Sequence, residues 1–345
     1  MEFPEVLIFE GDDEDAAAAE LASQVSALGF EQPFLLVSEH GGRLAAQLKG
    51  CESVPTPTHR ADQEWAIDLG ARARRVGADG VVAIGGGRCL DIAKLAAARA
   101  GLPSVAVPTQ LSHDGICSPV AVVPDHTGRS ESLGAIPPRV VFISMPTLLG
   151  APLVSMRAGI GDLLANPLAL RDWALAAEHG LEETDQRAWD LSIESFEAIE
   201  PDLERPPAQL AADADFLRRL ANGLVLSGLA MICSGTSRPA SGGEHEISHA
   251  IDELYGGRAM HGEQVAFGCI FSVALYGENT GAFRARLGNL GLPEQPRDLD
   301  LTEEDMVRLL LHAPETRPGR FTIIEDANLD EGSARSLVSS IWGPE

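Results

Sequence analysis

At 345 residues and 45% hydrophobic content, the chain has enough apolar material for two packed cores, which argues against disorder over most of its length. A formal net charge of -25 repels nucleic-acid phosphates and anionic lipid headgroups, so neither a nucleic acid nor a membrane is expected as a partner. The five cysteines show no C-x-x-C pair, the N-terminus lacks a basic and apolar leader, and no apolar run is long enough to span a bilayer; together these predict a soluble, cytoplasmic protein.

In chain order, apolar runs at 6–9, 34–37, 80–84, 104–108 and 140–144 alternate with Ala-rich helical stretches at 15–28, 62–76 and 90–100. This rhythm predicts an α/β, Rossmann-like unit over 1–150, a parallel sheet covered on both faces that binds ligands at the carboxyl ends of its strands. From about Thr147 the pattern turns to long Ala, Leu and Glu stretches with helical periodicity, predicting an all-α unit over 151–345 and a site in the cleft between the two. Pro146 and Gly150 to Pro152 mark the expected boundary, and Glu200 to Pro207 reads as a helix-breaking connection.

The segment GVVAIGGGRCLDIAKLAAA, residues 80–98, predicts a strand, a turn of Gly85, Gly86 and Gly87, and a helix carrying Arg88, Asp91 and Lys94. Glycines there permit positive φ and close approach of backbone N–H groups to a phosphate, and the helix N-terminus adds partial positive charge. The motif is not G-x-G-x-x-G, and a glycine turn between a strand and a helix is often only a turn. The next strand leads into Thr109, Ser112, His113, Asp114 and Ser118, which emerge at the same sheet edge. Their hydroxyls suit a cofactor and Asp114 suits a substrate hydroxyl, against the plainer reading of an Asx-turn with helix capping.

The densest signal lies in 234–268, where His245 and His249 share a helix face and His261 follows a Gly256–Gly257 break. Asp162, in AGIGDLLA, is a fourth candidate; Gly159 and Gly161 are expected to turn the chain just before the helix. Four candidates exceed the three protein ligands of a catalytic zinc, so one has another task; Zn²⁺ suits this set and Fe²⁺ is chemically possible. His40, His59, His126, His179 and His312 are taken as ordinary surface polar residues. Residues 245–249 also match H-E-x-x-H, with Glu246 where a zinc hydrolase keeps its base, but such an enzyme has no need of a phosphate-cradling α/β half.

Five blocks together, GGGRCLDIAK (85–94), PTQLSHDGICSP (108–119), AGIGDLLA (158–165), SGTSRPASGGEHEISHAID (234–252) and HGEQVAFG (261–268), resemble the sn-glycerol-1-phosphate dehydrogenase family. That family falls within the iron-containing alcohol dehydrogenase and dehydroquinate synthase-like superfamily. The resemblance implies an NAD(P)-binding Rossmann-like half, a helical half, a divalent metal held by Asp162, His245 and His261, and His249 facing a small substrate beside Asp114. It also implies a homo-oligomer. Gly85, Gly86, Gly87, Arg88, Asp91, Thr109, Ser112 and Ser118 would then serve the cofactor. Glu39, after the second strand, would accept from a ribose hydroxyl and repel a 2′-phosphate, favouring NAD over NADP. The family usually has Lys where this chain has Asn166, and a different turn where it reads FEGDDEDAAAAE; both leave open another small carbonyl substrate in place of dihydroxyacetone phosphate. A dehydroquinate synthase-like cyclase is a further alternative, against which stands Asp162 where those relatives carry Glu.

Overall fold

The computed structural model describes residues 3–57, 62–125 and 130–343. His59 and His126 lie outside the described residues. The N-terminal half runs β1 (Glu5–Phe9), α1 (Glu14–Ala27), β2 (Phe34–Val37), α2 (Gly42–Ala45), β3 (Glu52–Pro55), α3 (Gln63–Arg75), β4 (Val81–Gly85), α4 (Gly87–Ala100), β5 (Ser104–Pro108), β6 (Val120–Pro124), β7 (Ser130–Gly134) and β8 (Val140–Ser144). Six strands form one parallel sheet in the order β1-β8-β5-β4-β2-β3, while β6 and β7 make a separate antiparallel hairpin. The sheet is covered on both faces. Leu35, Val82, Ile84, Val107 and Phe142 pack with Ala17, Leu21, Val25 and Leu44 of α1 and α2. Their neighbours along each strand, Phe34, Leu36, Val81, Ala83, Ala106 and Val141, pack on the other face against α3 and α4. That double burial is why these strands read as unbroken apolar runs.

Strand order reverses at β2, whose chain successor β3 lies on one side while β4 lies on the other. The parallel register pairs Gly85 with Pro108, so the glycine turn and Thr109 leave the sheet at the same carboxyl edge, where ligands bind in such sheets. After Ser144 every described element is helical: α5 (Met145–Leu149), α6 (Leu153–Leu164), α7 (Asn166–Glu178), α8 (Gln186–Glu197), α9 (Pro207–Ala211), α10 (Ala214–Ser234), α11 (Gly243–Tyr255), α12 (His261–Leu275), α13 (Thr280–Asn289), α14 (Glu303–Thr316), α15 (Ile323–Ala327) and α16 (Glu331–Trp342), with short 3-10 turns between some of them. One apolar core joins this half to the sheet, running from Val141 and Ile143 through Ile116, Met145 and Ile160 to Leu224 and Phe267. The helix α10 is long and apolar enough to cross a membrane by length and composition, and 67% of its apolar window is buried inside the protein.

One local expectation is corrected. Gly159 and Gly161 do not turn the chain before a helix; they lie inside α6, with Asp162 in its last turn. Glycine within a helix ordinarily costs stability, and here the absent side chain permits backbone contact. A Cβ at Gly161 would stand 2.2 Å from the Gly262 carbonyl of α12, and one at Gly159 would stand 2.7 Å from the Leu111 carbonyl. The hairpin β6–β7 and the edge strand β3 are additions to the elements read from the sequence.

Candidate active site

A cleft of about 780 Å³ opens between the carboxyl edge of the sheet and the helical half. Its walls include Gly87, Arg88 and Asp91 from α4, Ser112, His113, Asp114 and Ser118 from the loop after β5, and β6 residues Val120 and Val122. Opposite stand His245, His249, His261 and Arg317.

Helix α11 starts at Gly243 and ends on Gly256 in the left-handed conformation, φ 75°, followed by Gly257 at φ 76°. Those two glycines return the chain so that His261 opens α12 facing back toward α11. Close approach of α11 and α12 rests on Gly268, where a Cβ would meet the Glu244 carbonyl at 2.3 Å. Glycine contacts at α6–α12 and α11–α12 therefore bring three elements to one point. Asp162, His245 and His261 each offer a ligand atom there, all within 4.8 Å of one another. His249, one turn beyond His245, stands outside that trio, its ring centroid 6.5 Å from that of His261, and lines the cleft.

The donor chemistry fits a divalent metal. Burial pushes all three imidazoles, His245, His249 and His261, well below the ordinary histidine value, so each presents a neutral ring with a free lone pair. Burial, reinforced by Asp114, drives the Asp162 carboxyl well above its ordinary value, opposed by the Asp114 backbone N–H that donates to its Oδ2 at 2.9 Å. Burial raises Asp114 as well, and burial raises Glu244 to about 7. Buried carboxyls beside neutral imidazoles are a site that gains from a cation. Glu244 Oε1 lies 2.9 Å from His245 Nδ1, so the ring can donate there and leave Nε2 as the ligand atom. Glu244 and its role were not apparent in the sequence, because only the folded helix shows which ring nitrogen it meets.

Glu246 is fully buried and accepts from the Thr322 hydroxyl at 3.0 Å. It is absent from the cleft wall, so the H-E-x-x-H match lacks its general base.

On the sheet side, the reason for the three glycines differs from the expected one. None of Gly85, Gly86 and Gly87 has positive φ; side chains crowd them instead. A Cβ on Gly85 would meet Cys89 Cβ at 2.6 Å and Ser38 Cβ at 2.9 Å, one on Gly86 would meet the Gln110 amide at 2.8 Å, and one on Gly87 would meet His113 Nε2 at 2.0 Å. His113 thus spans the cleft floor: its Nδ1 accepts from the Gly115 N–H at 2.9 Å, and its ring centroid lies 5.9 Å from that of His261. Adding a methyl in Gly87→Ala must expel this ring and break its bond to Gly115. We expect about a tenfold weaker affinity for a nucleotide bound at this turn, a moderate overpacking effect, read by fluorescence titration; unchanged affinity would show that the ring swings aside freely.

Other predicted residues sort by position. Asp91 and Lys94 form a buried ion pair at 2.9 Å, and Lys94 also donates to the Val120 carbonyl and lies 3.5 Å from the Ser118 hydroxyl. Arg88 is exposed at the cleft rim. Thr109 is buried, its backbone N–H bonded to the Gly85 carbonyl, and does not line the cleft. Glu39 is exposed in the turn Glu39–Gly41 just beyond β2, at the same sheet edge but outside the cleft wall. Asp114 Oδ2 accepts from Ser227 at 2.8 Å, and Ser227 in turn receives the Asn166 amide at 3.1 Å. Asn166 is 1% exposed and stands behind Asp114, so its side chain is not part of the cleft surface.

Comparison with known proteins agrees with this architecture. Residues 17–152 match the family model described as iron-containing alcohol dehydrogenase. The glycerol-1-phosphate dehydrogenase [NAD(P)+] of Methanospirillum hungatei is 38% identical over 77% of this chain and 72% of its own. That of Methanocorpusculum labreanum is 32% identical over 94% and 91%. A crystal structure of a probable glycerol dehydrogenase from Sinorhizobium meliloti superposes with a TM-score of 0.80 at 20% identity, covering 99% of this chain and 97% of that one. The chain belongs to the glycerol-1-phosphate dehydrogenase family, of the iron-containing alcohol dehydrogenase superfamily.

Proposed function

We propose that the chain is an NAD(P)-dependent dehydrogenase that interconverts sn-glycerol-1-phosphate and dihydroxyacetone phosphate, with zinc held by Asp162, His245 and His261 and with NAD preferred to NADP. One observation carries the reading: the neutral imidazoles of His245 and His261 line one cleft with Gly87 and His113, and the buried Asp162 carboxylate stands behind them with its ligand atom within 4.8 Å of theirs. When bound, the metal supplies a Lewis acid and the nicotinamide a hydride carrier.

The remaining tasks fall to the chain itself. The turn of Gly85, Gly86 and Gly87 and the N-terminus of α4 offer backbone N–H groups to a pyrophosphate. Ser112 and Ser118 add hydroxyls on the same wall. Glu39, at the carboxyl end of β2, accepts from a ribose hydroxyl and disfavours a 2′-phosphate. Asp114, anchored by Ser227 and by its own backbone bond to Asp162, orients the substrate hydroxyl. His249, neutral and facing the cleft, accepts or returns the proton exchanged with the substrate oxygen. Free thiols at all five cysteines accord with a reducing cytoplasm.

Purified protein loaded with zinc should oxidise NADH with dihydroxyacetone phosphate and yield the sn-1 enantiomer, followed by NADH absorbance and enantioselective product assay. A higher kcat/KM for an unphosphorylated carbonyl would contradict the substrate. Substrate consumption without net NADH change would point instead to a cyclase.

A further inference from the structure

A chain of net charge -25 must supply local positive charge wherever it takes an anionic substrate, and the cleft wall offers few cations. Lys94 is already paired with Asp91, and Arg88 sits exposed at the rim. Arg317 is different. It follows α14, only partly exposed, and lines the cleft together with His245, His249, Ser132, Ser237 and Ser241. Its guanidinium donates to the Ser241 hydroxyl at 2.6 Å and the Ser132 hydroxyl at 3.4 Å. Arg320, three residues on, donates to the Ser237 hydroxyl at 3.1 Å and to the Ser241 carbonyl. Among the described residues, neither guanidinium has a carboxylate within ion-pairing distance. Arg238, nearby and buried, shows the alternative, a fork of hydrogen bonds to Glu182 at 2.8 Å.

Two partly buried guanidiniums are bonded only to neutral oxygens, with the Glu246 carboxylate acting on both and Glu244 on Arg317 only from beyond ion-pairing distance, and burial draws Arg320 down to about 9. Arg317 shares the cleft wall with His245 and His249, so it stands at the reacting end of the cleft. We propose that Arg317, backed by Arg320 and flanked by the hydroxyls of Ser132, Ser237 and Ser241, is an anion subsite that takes the phosphoryl group of the substrate and sets its specificity. This rests on the proposed dehydrogenase reading for the substrate, though not for the subsite itself. Planar guanidinium donors match phosphoryl oxygens, and serine hydroxyls rotate to donate once the anion arrives. It also removes the difficulty raised by Asn166, since the cation facing the cleft is supplied from α14 instead.

The test uses zinc-loaded protein and the variants Arg317→Met and Arg317→Lys. Arg317→Met should lower the ratio of kcat/KM for dihydroxyacetone phosphate to that for dihydroxyacetone by roughly 30- to 100-fold, chiefly through KM, as expected for loss of charged hydrogen bonds. Arg317→Lys, which keeps charge without the fork, should recover part of the ratio. An equal loss on both substrates, or no loss, would overturn the proposal, because a residue that only ties loops together does not discriminate between them. Calorimetric titration with inorganic phosphate separates the two readings. If dihydroxyacetone phosphate is not turned over, yet phosphate binds the wild type and not Arg317→Met, the subsite stands and the substrate reading falls. Equal phosphate binding by both proteins overturns the subsite.

Discussion

His261→Ala is expected to lose its bound metal and to lower kcat/KM by about 10³-fold or more, the several kcal/mol that Lewis-acid assistance contributes to such a transition state. The side chain is 26% exposed and its contacts are with polar groups and other imidazoles, Ser248 at 3.5 Å, Asp162 at 3.9 Å and the rings of His113, His245 and His249, so its removal leaves the apolar packing of α12 in place. Loss of activity should therefore come without loss of fold. Elemental analysis after dialysis, paired with a thermal melt of the metal-free proteins, distinguishes the two. Retained metal with reduced turnover would mean that His261 acts on substrate rather than as a ligand.

Gly262→Ala should be nearly as damaging for a different reason. A Cβ at this position would stand 1.9 Å from the Ala158 carbonyl and 3.0 Å from the Ser112 carbonyl, both backbone atoms that have no rotamer to move. Helix α12 must retreat from α6, which separates His261 from Asp162, now 3.9 Å apart at their nearest ligand atoms. Overpacking of this kind costs about 3 kcal/mol, and the separation should weaken zinc binding by about 100-fold, in line with a disturbed ligand shell. Urea unfolding of the metal-free protein reads the first effect and chelator competition the second. A stability loss with unaltered metal affinity would show that the two helices re-pack without disturbing the ligands.

The residues legible from the sequence were those whose chemistry sits in a short run. The strands of the central sheet, apart from the edge strand β3, stood out because burial on both faces leaves them unbroken apolar runs between turn residues. His245 and His249 were readable as one helix face, and the Gly256–Gly257 break as the hinge that returns His261. Asp162 was found through a motif, yet its local structure was misread. Gly159 and Gly161 look like turn residues in one dimension, and only the packing of α6 on the loop after β5 and on α12 shows that they make room for the Leu111 and Gly262 carbonyl oxygens. Strand β3 is a short edge strand with one buried residue, and β7 reads SESLG, so neither carries an apolar signature. Arg317 and His113 owe their place entirely to tertiary contacts. One is brought to the cleft by the end of α14, and the other is seated by the missing side chain of Gly87.

Asp162, His245 and His261, and not His249, are the proposed metal ligands. X-ray absorption at the zinc edge of the loaded protein tests this assignment directly by counting imidazoles. Two imidazole donors with oxygen completing the shell, unchanged in His249→Ala, and loss of the zinc signal in His245→Ala, as in His261→Ala, is the predicted result. Three imidazoles in the wild type, falling to two in His249→Ala, would contradict it and make His249 a ligand.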